Sequence, residues 1–233
     1  GRGTFAAWAV ASPEKLAAVP RSLEPVAASV LAVSAATALQ AVEDHGEVGP
    51  GDRVLVMGAS GGVGSHAVQI AVALGAEVTG VAGTDKLDLV RALGAAHVID
   101  HRTADPLDGT RRYDVIIDTG GRRRLRDLRR GLEPTGTAVI VGGEGGGRLV
   151  GGADRQVRAM ALSAFTRQRL TTFVADAAVA HLERLADLVE TGRLRPVVDR
   201  TFPLDRVADA VDHLSSGRVR GKVALDLGPT AGS

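Results

Sequence analysis

The stretch Arg53 to Gly83, R-V-L-V-M-G-A-S-G-G-V-G-S-H-A-V-Q-I-A-V-A-L-G-A-E-V-T-G-V-A-G, is compatible with few folds. Val54 to Met57 is an unbroken apolar run, as a parallel strand covered on both faces requires. A turn holding Gly58, Gly61, Gly62 and Gly64 follows. Val68, Ile70, Ala71, Val72 and Leu74 then give a broad apolar helix face that ends at Gly75, a C′ glycine. Glu77 to Val81 returns as a second strand. Strand, glycine turn, helix and strand at this spacing make the βαβ unit that binds dinucleotides.

The glycines have separate tasks. The spacing Ala59-x-Gly61-x-x-Gly64 matches G-x-G-x-x-G with alanine in the first slot. Gly61 removes a Cβ where the backbone must approach a pyrophosphate, and Gly64 lets the helix pack close to the strand. The N–H groups of Gly62 and Val63 lie at a helix N-terminus, where free donors and the dipole favour an anion. Ser60, Gly61, Gly62 and Val63 are therefore the expected phosphate-binding positions.

Around this unit the pattern predicts alternating strands and helices. Helices are expected over Glu24 to Leu31, Ala35 to Asp44, Asp85 to Leu93, Gly121 to Leu132, Gln156 to Ala164, Ala177 to Glu190 and Arg206 to Leu214. Strands are expected over Thr4 to Val10, Ala96 to Ile99, Tyr113 to Asp118, Thr137 to Val141, Arg169 to Val174 and Lys222 to Leu227, with an extended segment over Pro196 to Phe202. Such alternation implies an α/β fold with a doubly wound, parallel six-stranded Rossmann sheet, order 3-2-1-4-5-6.

Composition narrows the chemistry. The 233 residues contain no cysteine, which excludes disulfides, thiolate zinc sites and cysteine nucleophiles. A net charge of +1 gives no global pull toward nucleic acid or a charged membrane. No apolar run reaches membrane-spanning length, so a cytoplasmic protein is expected. In the run Arg122 to Arg130, Leu125 and Leu128 form with Leu132 a buried stripe that leaves the arginines on a solvated face. No aromatics interleave there to stack bases. His45, His66, His181 and His213 lack metal-ligand spacing, and Ser60 lies outside a G-x-S-x-G elbow. The chain opens on Gly1-Arg2-Gly3 without an initiator methionine and is expected to be part of a longer polypeptide or a trimmed form of one.

Several stretches carry a family resemblance: G-T-F-A-A-W-A-V at Gly3, T-A-L-Q-A-V at Thr37, V-G-P-G-D-R-V-L-V-M-G-A-S-G-G-V-G at Val48 and A-L-G-A-A-H-V-I-D-H at Ala92. Y-D-V-I-I-D-T-G-G at Tyr113, V-V-D-R-T-F-P-L at Val197 and R-G-K-V-A-L at Arg220 extend it. In this order the chain resembles the cofactor half of medium-chain dehydrogenase/reductases, in the zinc-independent quinone oxidoreductase (zeta-crystallin-like) branch. The resemblance implies three parts: residues 1–23 ending a GroES-like catalytic domain, 24–194 binding NADP, and 195–233 returning to the catalytic domain as remnant strands. Zinc-dependent relatives have a cysteine near Ala32, a slot that is alanine here. A catalytic zinc needs three protein ligands, so no metal is expected.

The end of the second strand bears on the cofactor. NAD-specific sites place Asp or Glu there; this chain has Ala82 and Gly83, which admit a 2′-phosphate. Thr84 can donate to that phosphate and Lys86 can reach it, unless Lys86 is a solvated helix residue. Asp85 sets a negative charge beside the site or caps the helix. His101 stands where relatives often have a tyrosine on the same phosphate, or is a plain surface histidine. NADPH is thus the expected cofactor. By resemblance, Thr119 lies near the ribose, Gly142 and Gly143 near the nicotinamide, and Phe165 and Arg220 close over the nicotinamide end. The implied activity is hydride transfer to a quinone or an α,β-unsaturated carbonyl, with no catalytic residue assigned. Two alternatives stand: an enoyl reductase domain of a polyketide or fatty-acid synthase, and a non-catalytic NADPH-binding protein. The β-prone segment Arg169 to Val174 at the sheet edge, with no proline or inward charge guarding it, implies a homodimer.

Overall fold

The computed structural model describes residue 6 and residues 9–120, 123–141, 167–176 and 178–228. Six parallel strands form the main sheet: β1 (Arg53–Met57), β2 (Glu77–Ala82), β3 (His97–Asp100), β4 (Tyr113–Asp118), β5 (Leu132–Ile140) and β6 (Arg169–Thr172). Their order is β3-β2-β1-β4-β5-β6, as the βαβ pattern predicts. Strand order reverses beside β1, which runs between β2 and β4 and is parallel to both. In open α/β sheets the ligand crevice lies outside the strand C-termini at this point.

The two faces of β1 are divided between two cores. Val54 and Val56 pack with Val78, Val115, Ile117 and Val139 on one side, against α2 (Ser34–Leu39), α3 (Gly62–Ala73), α4 (Leu87–Ala92) and α6 (Val179–Glu190). Leu55 and Met57 join Ile116, Ala138, Ile140 and Leu170 on the other, under Leu128 of α5 (Leu125–Gly131). This double burial is why the strand is apolar at every position from Val54. A separate parallel pair, β7 (Val198–Pro203) and β8 (Lys222–Asp226), is joined through α7 (Val207–Ser215).

Several boundaries differ from the sequence reading. The helix expected over Glu24 to Leu31 is α1 (Pro25–Ser29), with Pro25 at its first turn. The helix expected over Ala35 to Asp44 changes pitch, α2 giving way to a π-helical turn at Gln40–His45. There the Gln40 amide donates to the Asp176 carbonyl at 2.8 Å, and the Val48 N–H reaches back to the Val42 carbonyl. The helix read as Gly121 to Leu132 starts at Leu125, and β5 begins at Leu132 rather than Thr137. Leu132 is fully buried opposite Tyr113, and that burial extends the strand through Pro134. β6 stops at Thr172, short of Val174. The strand expected over Thr4 to Val10 and the helix over Gln156 to Ala164 lie largely or wholly outside the described residues.

Candidate functional site

Gly58, with φ 76°, turns the chain sharply off the end of β1. The Gly61 N–H donates to the Gly58 carbonyl at 3.0 Å, and Gly61 opens α3 with no side-chain cap. By helix geometry the amides of Gly62, Val63 and Gly64 have no acceptor within α3. Gly64 is fixed by packing, since a Cβ there would stand 2.1 Å from the Gly58 carbonyl oxygen. Gly61 is different: a Cβ there would meet only that same oxygen, at 3.4 Å. The backbone in front of Gly61 is therefore open to close approach.

The C-terminal return closes on this turn. Gly221 forms a parallel bridge with Gly61, its N–H donating to the Ser60 carbonyl at 2.8 Å. Next to it, the Lys222 side chain lies across Gly62, where a Cβ would come within 2.6 Å of its Cδ. Sequence reasoning passed over Lys222. Its only signal is its place after Gly221, whose φ of 90° and approach to the Val197 carbonyl exclude a side chain. This brings a lysine side chain beside the uncapped end of α3, where a cation and free backbone donors together suit an anion.

His66, on the next turn of α3, has no solvent exposure. Its Nδ1 lies 2.6 Å from the Gly62 carbonyl, so the proton sits there and Nε2 is a bare acceptor without a partner. Burial lowers the imidazole pKa from 6.5 to about 4, the Gly62 carbonyl opposing this and the charge of Lys222 adding to it. The histidine is neutral at physiological pH.

At the far end of β2, Gly83 sits beside the end of β3. The His101 N–H donates to the Ala82 carbonyl, which places the exposed His101 next to Gly83. Thr84 Oγ1 donates to Asp100 Oδ2 at 2.5 Å, a bond that leads the causes holding the Asp100 carboxyl below its ordinary range. Lys86 reaches toward the C-terminal return. Its ammonium donates to the carbonyls of Gly217 at 2.7 Å and Val219 at 2.9 Å. Arg220 points toward α4 as well: its guanidinium donates to Asp88 Oδ2 at 2.7 Å and to the Asp85 carbonyl at 3.2 Å.

Thr119, at the end of β4, donates through Oγ1 to the Met57 carbonyl at 2.7 Å and so braces the Gly58 turn. Gly142, Gly143 and Phe165 lie outside the described residues. In the arginine run, Arg123 pairs with Asp105, Arg129 with Gln168, and Arg130 with the Leu107 carbonyl. These side chains brace the α5 surface above a buried Leu128.

Residues 93–225 match the family described as "Zinc-binding dehydrogenase". That match covers more than half of the chain. The chain belongs to this family. Its lack of cysteine sets it apart from members that hold zinc through thiolates. It is 32% identical to the mouse (Mus musculus) protein named "NAD(P)H oxidoreductase RTN4IP1, mitochondrial" over 97% of its own length. The chain spans 62% of the length of that relative. Among solved structures, a protein titled "NAD-dependent alcohol dehydrogenase" matches with a TM-score of 0.83 and 32% identity, over 97% of this chain and 66% of that one. The quinone oxidoreductase from Coxiella burnetii matches with a TM-score of 0.77 and 29% identity, over 93% of this chain and 65% of that one.

Proposed function

We propose that this chain is the nicotinamide-dinucleotide-binding part of a zinc-independent oxidoreductase, with NADPH preferred over NADH. The observation that carries the reading is the corner where Gly221 and Lys222 close on the uncapped turn Gly58 to Gly64. The amides of Gly62 and Val63 and the Lys222 ammonium bind the two pyrophosphate charges. Bound there, a reduced nicotinamide supplies a hydride. Thr119 stiffens the floor of the site, and buried neutral His66 braces the first turn of α3 through the Gly62 carbonyl. An acid at Gly83 would repel a 2′-phosphate, and its absence supports NADPH.

The quinone oxidoreductase among the similar structures supports an electron-poor acceptor such as a quinone; an α,β-unsaturated carbonyl, reduced at its β-carbon, is the second acceptor class we propose. No side chain among the described residues is assigned as proton donor. We propose the division into 1–23, 24–194 and 195–233 given by the resemblance, and a homodimer formed along β6. The test is NADPH oxidation by the polypeptide that carries this chain, with simple quinones and enones offered in turn. Acceptor-dependent oxidation, several-fold faster with NADPH than with NADH, is expected. Tight cofactor binding with no oxidation by any acceptor would sink the enzymatic reading and favour a non-catalytic NADPH-binding protein.

A further inference from the structure

The space in front of Gly83 is filled by Arg102. A Cβ on Gly83 would stand 3.4 Å from Arg102 Nη2 and 3.3 Å from Asp85 Oδ1. The backbone at Gly83, φ −80° and ψ 159°, suits any residue, so what the missing side chain leaves is room for the Arg102 guanidinium to lie against it. Asp100 fixes the backbone at Arg102. One of its oxygens accepts from the Arg102 N–H at 2.9 Å and the other from the Thr84 hydroxyl at 2.5 Å, tying the ends of β2 and β3 together. Arg102 Nη1 is 3.5 Å from Thr84 Oγ1, and Nη2 is 3.4 Å from Asp85. The Arg102–Asp85 pair is more than half exposed and held by one long contact, so it is weak and easily exchanged. A guanidinium has five donors in a planar fork suited to a phosphate, and most of them are uncommitted here.

Lys86, by contrast, has committed two of its three donors to the carbonyls of Gly217 and Val219. Together with the Arg220–Asp88 pair it fastens the start of α4 to the segment that runs into Gly221 and Lys222. We infer that Arg102 reads the 2′-phosphate of NADPH, while Lys86 is a positioning residue that holds Lys222 over the pyrophosphate turn. The inference rests on the proposed nicotinamide site and names which of its residues sets cofactor choice. On binding, Arg102 trades Asp85 for the phosphate. Asp85 is the opposing charge that this exchange must displace.

Calorimetric titration of NADPH and NADH into the chain separates the two roles. Arg102→Ala should weaken NADPH roughly ten- to a hundredfold and leave NADH within about twofold. Asp85→Asn should tighten NADPH alone. Lys86→Ala should weaken both cofactors by the same factor, and in a Lys222→Ala background it should have no further effect, because it acts through Lys222. The inference is overturned if Lys86→Ala weakens NADPH selectively, or if Arg102→Ala leaves NADPH unchanged. If the unmodified chain binds neither cofactor, the nicotinamide reading itself fails.

Discussion

His66 shows how one buried side chain ties the site to stability. Its folded pKa, about 4, lies below the 6.5 of an unhindered imidazole because the folded chain buries the ring beside Lys222. Between these values the unfolded chain binds a proton that the folded chain refuses. The stability from a neutral His66 is therefore complete above about pH 6.5 and is lost as pH falls toward 4, by up to about 3 kcal/mol. Urea unfolding across this range should show that slope, and His66→Leu should flatten it. An unchanged slope in the variant would mean that other groups carry the acid sensitivity. Gly64 lies on the same turn but acts through space alone. The carbonyl 2.1 Å from its missing Cβ is backbone and cannot move aside as a side chain would.

Among the elements, β6 is the edge strand of the six-stranded sheet opposite β3. Val174, just past its end, is 92% exposed, while Arg169 at its start is tied to Glu47 and the His45 carbonyl. A two-fold contact along this edge places the same residue on both sides of the axis. Val174→Lys should therefore shift a dimer toward monomer in light scattering without altering the fold of either copy. A dimer that survives the change, or an unmodified protein that is monomeric at high micromolar concentration, contradicts the β6 assignment. The central strands were legible in the sequence because burial on both faces leaves a local signature, and Tyr113–Asp118 has the expected ends. β5 was misjudged at its start because Pro134 and Gly136 resemble a turn, whereas distant burial of Leu132 opposite Tyr113 keeps the chain extended. The pitch change at Gln40–His45 was equally hidden, since the Gln40 side chain bonds the far-off Asp176. The glycine turn between β1 and α3 is legible as a local pattern. Lys222 and Arg102 are not, because each meets its glycine only after the chain has folded.

Across the whole molecule, the C-terminal return joins the end of β2 to the glycine turn that follows β1. Lys86 and Arg220 tie it to the start of α4, and Gly221 and Lys222 lay it over the turn that we propose holds the pyrophosphate. On the proposed reading, a dinucleotide held at its 2′-phosphate and its pyrophosphate is oriented before any acceptor arrives, which would be the protein's share of the chemistry. The central claim is that the turn opening α3 carries the pyrophosphate. Gly61 offers a direct test, because its φ of −86° suits any residue and its Cβ position is open, so valine there leaves the fold intact. Calorimetric titration with NADPH should show one site on the chain and no measurable binding to a Gly61→Val variant with an unaltered circular dichroism spectrum. Undiminished affinity in that folded variant would contradict the account.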